Sequence, residues 1–410
     1  MNPKIENVDT KNSVMHFRLS GVNVSLANAL RRTILSDIPT VVFKTSPYEE
    51  NKAVIISNTS RLNNEVIKQR LSCIPIHIDD LSIPFQNLIM EVNEVNNTDS
   101  IMYVTTEHFK IKDKRTDKYL SEKDTRDIFP PNSHTNHYID FVRLRPKISE
   151  ELPGEKLQLT CEFSIGTCKE DGMFNVVSTC AYGFTQDLAL RDIELGKKLQ
   201  TWRDAGMKKE EIEFQEKNWL LLDALRLTVR DSFEFVIESV GVFSFKQLII
   251  SACNILIERL TELNNIIEAD TLSIELSQNT MSNCYDITLE NEDYTIGKVI
   301  EYMLHTLYYD NGENTVIKKN IIKKTSQLKE MAKNDTTMFV PSTPSTPPPK
   351  NISEASTLTY CGFKKFHPHD SHSIIRVAYK ETSNPSIIKG HLQICIAESI
   401  KVYNAIKKYF

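Results

Sequence analysis

The stretch from Val24 to Val42, VSLANALRRTILSDIPTVV, limits the fold more than any other part of the chain. Leu26, Leu30, Ile34 and Ile38 recur every four residues with Ala29 and Thr33 beside them, which lays one apolar stripe along a helix. Ser25 is placed to cap that helix by accepting a bond from a free N–H of its first turn. Pro39 stops it, because proline lacks an N–H and restricts the residue before it. Arg31 and Arg32 sit together in the middle. A helix with one buried face cannot bury both, so at least one guanidinium must point at solvent or at a partner.

With 410 residues the chain has room for two or three domains. Its 40% apolar and 25% charged content is that of a soluble globular protein. No apolar window of about 18 residues predicts a membrane span, and the polar start MNPKIENVDTKN lacks a signal-peptide core. A formal net charge of −5 argues against a dedicated nucleic-acid binder. None of the eight cysteines forms a C-x-x-C pair. They read as small buried hydrophobes in a reducing compartment, and the spacing of Cys161, Cys168 and Cys180 does not reproduce a zinc pattern. No metal, cofactor or catalytic residue is expected. No His–Asp pair is placed with Cys168 or Cys180, and His367, His369 and His372 with Asp370 suit an exposed turn.

Along the chain, Val14 to Leu19 reads as a strand. Asn63 or Asn64 caps a short helix carrying Ile67 and Leu71, which ends at Pro75. From about Ser82 to Tyr182 the pattern is strand-like, whereas Asp187 to Arg230 is charged, leucine-bearing and helical, with Trp202 and Trp219 as anchors. Phe233, Phe235 and Ile237 alternate, and a helix from Phe245 to about Asn264 follows the E-S-V-G turn at Glu238 to Gly241. Leu272, Ile274 and Leu276 alternate and open a new unit. There Ile296, Val299, Ile300, Met303, Leu304 and Leu307 form a clean helical face, and Gly297 in its first turn implies a close backbone contact. Lysines from Lys318 to Lys333 precede VPSTPSTPPPKNIS, which cannot pack a core. A final helix spans about Pro385 to Lys408.

Two sets of residues carry a family resemblance. Asn28-Ala29-Leu30-Arg31-Arg32, then Ile34-Leu35-Ser36 and Ile38-Pro39-Thr40, resemble the first helix of the bacterial RNA polymerase alpha subunit and of the third-largest subunit of the eukaryotic and archaeal enzymes. Glu65, Val66, Arg70, Leu71, Ile74 and Pro75, and later Leu144-Arg145-Pro146, are similar to that family's insert region. Glu292, Asp293, Tyr294, Thr295, Ile296, Gly297, Lys298 and Ile300, then Gly362, Phe363, His367 and Pro368, resemble the eleventh subunit of RNA polymerase II. Tyr294 stands where that family has histidine, and Phe363 where it has tyrosine.

The resemblance implies an α+β chain of two alpha-like dimerisation units, paired as an intramolecular pseudo-dimer, the first interrupted by a mainly β insert domain. The expected divisions are residues 1–45 with 231–268 for the first unit and 46–186 for the insert. A helical extension follows at 187–230, and the eleventh-subunit-like unit at 269–410 holds a disordered insertion at about 325–357. The implied function is a non-catalytic assembly platform of a DNA-directed RNA polymerase, a subunit fusion of the kind associated with large DNA viruses. Its partners are then the two largest polymerase subunits and small polymerase subunits. It meets DNA only through the complex, touches no membrane and needs no separate alpha-like partner. It would work inside cells, or in a virion and the host cytoplasm or nucleus if viral. The implied subunit-interface residues are Asn28, Arg31, Arg32, Glu65, Arg70, Pro75, Gly297 and His367. The competing readings are a DNA-binding regulator using the lysine run and an enzyme using the cysteines and histidines.

Overall fold

Met15, Phe17 and Leu19 alternate along one strand and are all buried, while His16 and Arg18 between them are not. The computed structural model describes residues 1–11, 13–147, 149, 153–309, 358–380 and 383–410. The lysine run from Lys318 and the proline-rich stretch expected to be disordered lie outside the described residues.

The first unit opens with β1 (Lys4–Lys11), β2 (Val14–Ser20) and α1 (Val24–Ser36), followed by β3 (Thr40–Val42). The chain then builds β4 (Ala53–Asn58), α2 (Asn64–Ser72), β5 (Leu88–Val95), β6 (Met102–Thr105), β7 (Lys110–Asp113), β8 (Lys118–Tyr119), α3 (Glu122–Ile128), β9 (Asp140–Leu144), β10 (Lys156–Glu162) and β11 (Ser164–Gly166). It returns through β12 (Val177–Gln186), α4 (Leu188–Asp204), α5 (Lys209–Leu221), β13 (Thr228–Ser239) and α6 (Phe245–Glu268). The last part is β14 (Ile274–Leu276), β15 (Cys284–Glu290), α7 (Tyr294–Tyr308), β16 (Leu358–Lys364), β17 (His372–Tyr379) and α8 (Pro385–Lys407).

Two four-stranded antiparallel sheets result, ordered β1-β2-β13-β12 and β14-β15-β17-β16. β1 comes from the polar N-terminal stretch that carries no strand pattern; as an edge strand it is exposed almost throughout, which removes the alternation. β12 falls within the range expected for the insert, yet it pairs with β13 from Val177↔Ser239 to Gln186↔Thr228 and so lies in the first sheet. A five-stranded sheet, β4-β10-β5-β7-β8, carries the insert. Its core of Phe43, Ile67, Leu71, Phe109, Phe129, Phe141 and neighbours is separate from the main one.

The main core is continuous through both four-stranded sheets and the helices α1, α6, α7 and α8. Leu26, Leu30 and Ile34 of α1, Leu248, Ala252, Leu256 and Leu260 of α6, Ile296, Val299, Ile300 and Leu304 of α7, and Ile388, Leu392, Ile396 and Tyr403 of α8 are all buried within it. α1 packs on α6 and α7, and α8 on α6 and α7. At roughly 1.5–3 kcal/mol for each large apolar side chain buried, this shared core is the main favourable term joining the halves. Chain ends add to it. The Phe410 ring meets Phe17 edge-on at 5.8 Å, Phe17 stacks on Phe235 at 5.0 Å, and the Tyr409 hydroxyl donates to the Pro3 carbonyl at 3.0 Å.

Helix ends differ from their sequence readings in detail. Asn23, not Ser25, caps α1: its Oδ1 accepts from the Ser25 N–H at 2.9 Å. α1 stops at Ser36, before Pro39, with the Asp37 N–H donating to the Thr33 carbonyl. Asn63 caps α2, and Ser244 with Gln247 forms a capping box on α6, which runs four residues past Asn264 to Glu268. In the E-S-V-G turn, Gly241 has φ +107, a backbone region that favours glycine, and the Ser239 hydroxyl donates to the Phe243 carbonyl. His77 of the insert lies against this turn, and Gln247 donates to Asp79 at 2.8 Å, so the insert is held to the first unit here.

The close contact implied by Gly297 is with an aromatic ring. A Cβ there would come within 2.0 Å of Phe363 Cε2 and 2.3 Å of Cδ2. Gly297→Ala is expected to destabilise the chain by about 1–3 kcal/mol through overpacking, despite alanine's better helix propensity. Phe363→Leu should remove most of that penalty. Chemical denaturation of the single and double variants checks this, and a Gly297→Ala chain as stable as the parent contradicts it.

Candidate assembly interface

Arg32 lies on α1, half-buried, and reaches out of the first half of the chain into the second. Its Nη2 donates to Asp293 Oδ2 at 2.7 Å and its Nε to Thr295 Oγ1 at 3.0 Å. Asp293 is at the same time the N-cap of α7, where Oδ1 accepts from the Thr295 N–H at 2.8 Å. Arg259, from the middle of α6, completes the arrangement. Its Nη1 donates to Asp37 Oδ2 at 2.8 Å, and its Nη2 and Nε donate to the two oxygens of Glu292 at 2.5 and 3.2 Å. A cleft of about 550 Å³ opens beside it between α6 and β15.

Two guanidiniums and three carboxylates therefore meet at the junction of α1, α6 and α7. The inner members are well covered, with side-chain exposures of 16% for Arg259, 15% for Asp37 and 14% for Glu292, against 35% for Arg32 and 25% for Asp293. Burial, the largest influence, pushes the Glu292 carboxyl above its ordinary value against the pull of Arg259. Burial also works to raise Asp293. There the Thr295 N–H and hydroxyl, with Arg32 and Arg259, outweigh it and hold the carboxyl below its ordinary value.

The other residues implied by sequence resemblance stand apart from this cluster. Arg31 donates from Nε to Asn28 Oδ1 at 2.9 Å and lies close enough to Cys180 and Tyr182 of β12 to oppose the upward push that burial gives their pKa. Arg70 is engaged inside the insert, donating to the carbonyls of Phe141 and Asp140, both at 2.7 Å, and pinning α2 to β9. Glu65 is exposed in the first turn of α2, and Pro75 is half-buried. Gly297 is buried under Phe363. His367 is exposed in a turn where its N–H donates to Asp370 and its Nδ1 accepts from the His369 N–H. Arg32 and Arg70, expected to face large subunits, are thus occupied within the chain. Arg259 escaped the sequence reading because Glu258 and Glu262 beside it give the pattern of an ordinary solvated helix face.

No group of three or more metal-binding side chains occurs among the described residues. Five cysteines are buried, and burial pushes the thiols of Cys180, Cys253 and Cys361 up to about 12. Such thiols are not nucleophiles.

Asp293→Asn keeps a good N-cap and removes one charge, so it isolates the ion pair. It is expected to cost about 1–3 kcal/mol near pH 7. Because the Asp293 carboxyl is depressed in the folded chain, its stabilisation is complete above the unfolded value near about 3.9 and is lost as pH falls through the folded one. The gap between parent and variant should hold from neutral pH to about 5 and close below about 4. Denaturant unfolding across that range measures it, and a gap unchanged in acid contradicts the assignment.

A family profile described as the RNA polymerase Rpb3/Rpb11 dimerisation domain matches residues 16–260. Subunit RPAC1 of DNA-directed RNA polymerases I and III from Bos taurus is 24% identical over 62% of this chain and 82% of its own length. Subunit Rpo3 of the DNA-directed RNA polymerase of Picrophilus torridus is 24% identical, covering 46% of this chain and 66% of that protein. Subunit rpb3 of DNA-directed RNA polymerase II of Dictyostelium discoideum is 33% identical over a shorter stretch, 19% of this chain and 24% of its own. The profile spans more than half of the chain, across both arms of the first unit and the insert between them, and the chain belongs to the RNA polymerase Rpb3/Rpb11 dimerisation-domain family.

Proposed function

We propose that this chain is a non-catalytic assembly platform of a DNA-directed RNA polymerase, with a third-subunit-like and an eleventh-subunit-like unit joined in one polypeptide. The observation that carries the reading is the order of helix contacts. Each unit offers a first helix, α1 or α7, and a long last helix, α6 or α8. First helix meets first helix and last meets last, inside one continuous apolar core. A two-fold pairing of like units has this contact pattern. The reading makes the chain an intramolecular pseudo-dimer that needs no separate alpha-like partner.

Relatives named as polymerase subunits support the first unit's assignment. The second unit's assignment, and the viral setting, rest on the sequence resemblance. The partners follow from the reading: the two largest polymerase subunits and the small ones, with DNA reached only through the complex. Docking falls to surfaces not spent on internal pairing. Of the residues implied, Asn28, Arg31, Glu65, Pro75 and His367 remain as the docking set, whereas Arg32, Arg70 and Gly297 serve the internal structure.

A tagged chain recovered from its native source at high salt should bring two very large subunits in equal ratio and no separate small alpha-like protein, as read by mass spectrometry. Recovery of the chain alone, or only with nucleic acid that salt removes, contradicts the platform reading. Arg31→Glu should lower recovery of the large subunits while lowering the thermal midpoint of the isolated chain only slightly, through loss of the Asn28 bond, and full recovery would exclude Arg31 from the docking surface.

A further inference from the structure

We propose that the cluster of Arg32, Asp37, Arg259, Glu292 and Asp293 determines which alpha-like unit pairs with which. The proposal rests on reading the chain as two paired units. Its basis is a charge asymmetry between two otherwise matching faces. In the first unit the basic groups lie well along the helices, Arg32 on α1 and Arg259 on α6. In the second unit the acidic groups lie where α7 begins, at Glu292 and the cap Asp293. The matching positions are neutral. Counted from the helix start, Tyr302 stands on α7 where Arg32 stands on α1, and Ser399 stands on α8 where Arg259 stands on α6. The start of α1 carries Val22 and the neutral cap Asn23 in place of Glu292 and Asp293.

One end of the helix pairing therefore carries complementary charges at the matched positions, and the other carries none there. Pairing two first units would set Arg32 and Arg259 of each against Val22 and Asn23 of the other. The partly buried guanidiniums would keep only Asp37 as a counter-ion. Pairing two second units would set Glu292 and Asp293 against Tyr302 and Ser399, with no guanidinium at the matched positions. Charges left uncompensated in a covered site are strongly unfavourable, so both like-with-like pairings are rejected while the mixed one is accepted. The apolar faces cannot make this choice, since leucine and isoleucine line all four helices.

The test uses full-length chains without any polymerase partner, so a failed large-subunit recovery leaves it intact. All reversed chains also carry Asp37→Asn, which removes an anion that would repel a glutamate at position 259. One chain carries Arg259→Glu, a second Glu292→Arg, and a third carries both. Each single reversal is expected to lower the thermal midpoint by several degrees, and the double reversal to recover most of that loss. When the two singly reversed chains are co-expressed with different tags, they should copurify as a one-to-one dimer. Each first unit then finds a complementary second unit on the other chain. Losses that simply add in the double reversal, or singly reversed chains that stay separate when co-expressed, overturn the proposal. If a single reversal fails to fold alone, the double reversal and the co-expressed pair still decide.

Discussion

A guanidinium that is five-sixths covered must have its charge answered nearby, and Arg259 sets that demand at the point where three helices meet. Asp37 answers it from the end of α1, and Glu292 from just before α7. Moving either helix by one turn, about 5.4 Å, would break these bonds. The apolar core tolerates small slips better, because leucine and isoleucine faces can repack at modest cost. The two kinds of interaction thus divide the work. Apolar burial supplies the attraction between the halves, and the ion cluster, which gains little net energy once desolvation is counted, fixes their register.

The insert is built so as not to interfere with that register. It has its own aromatic-rich core, with Phe109 edge-on to both Phe129 and Phe141 at 5.3 and 5.4 Å. Its internal charges are also settled locally. Arg145 of the Leu144-Arg145-Pro146 run binds the buried Glu155 through both its backbone N–H and its side chain, which gives that sequence signature a structural cause. The links to the first unit include the short pairing of β11 with β3, the Lys169 N–H donating to the Ser36 carbonyl at 2.9 Å, His77 against Gly241, and Gln247 with Asp79. Burial pushes the His77 imidazole below its ordinary value, with the Gly241 backbone opposing it.

Periodic features were legible in the sequence and contact partners were not. The apolar stripes of α1 and α7 could be read because burial of one face imposes a period, and every residue of the α7 stripe is buried. Arg31 and Arg32 could be singled out, but their separate fates could not. One turns toward Asn28 and β12, and the other crosses to a cap 261 residues away. Asp293 could be seen as part of a motif, but its second task, answering Arg32, is a property of the pairing. The strand Lys4–Lys11 was invisible because an exposed edge strand needs no apolar alternation. Tyr294, standing where the resemblance has histidine, packs edge-on against Phe363 at 5.1 Å, so an aromatic contact occupies that position.

On the proposed reading of two paired units, their joining in one chain changes what the interface must achieve. α6 ends at Glu268 and β14 begins at Ile274, so a five-residue connection holds the two faces together. Lys389 on α8 pairs with Asp270 inside that connection and anchors it to the second unit. A short tether of this kind raises the effective concentration of one face for the other to about the millimolar range. An interface between separate subunits must hold at far lower concentrations and so needs surplus affinity. Within one chain that surplus is unnecessary, and part of the contact area can carry charges whose net contribution is small. Those charges then discriminate among pairings, a task that apolar area performs poorly because it is indifferent to which apolar face it meets.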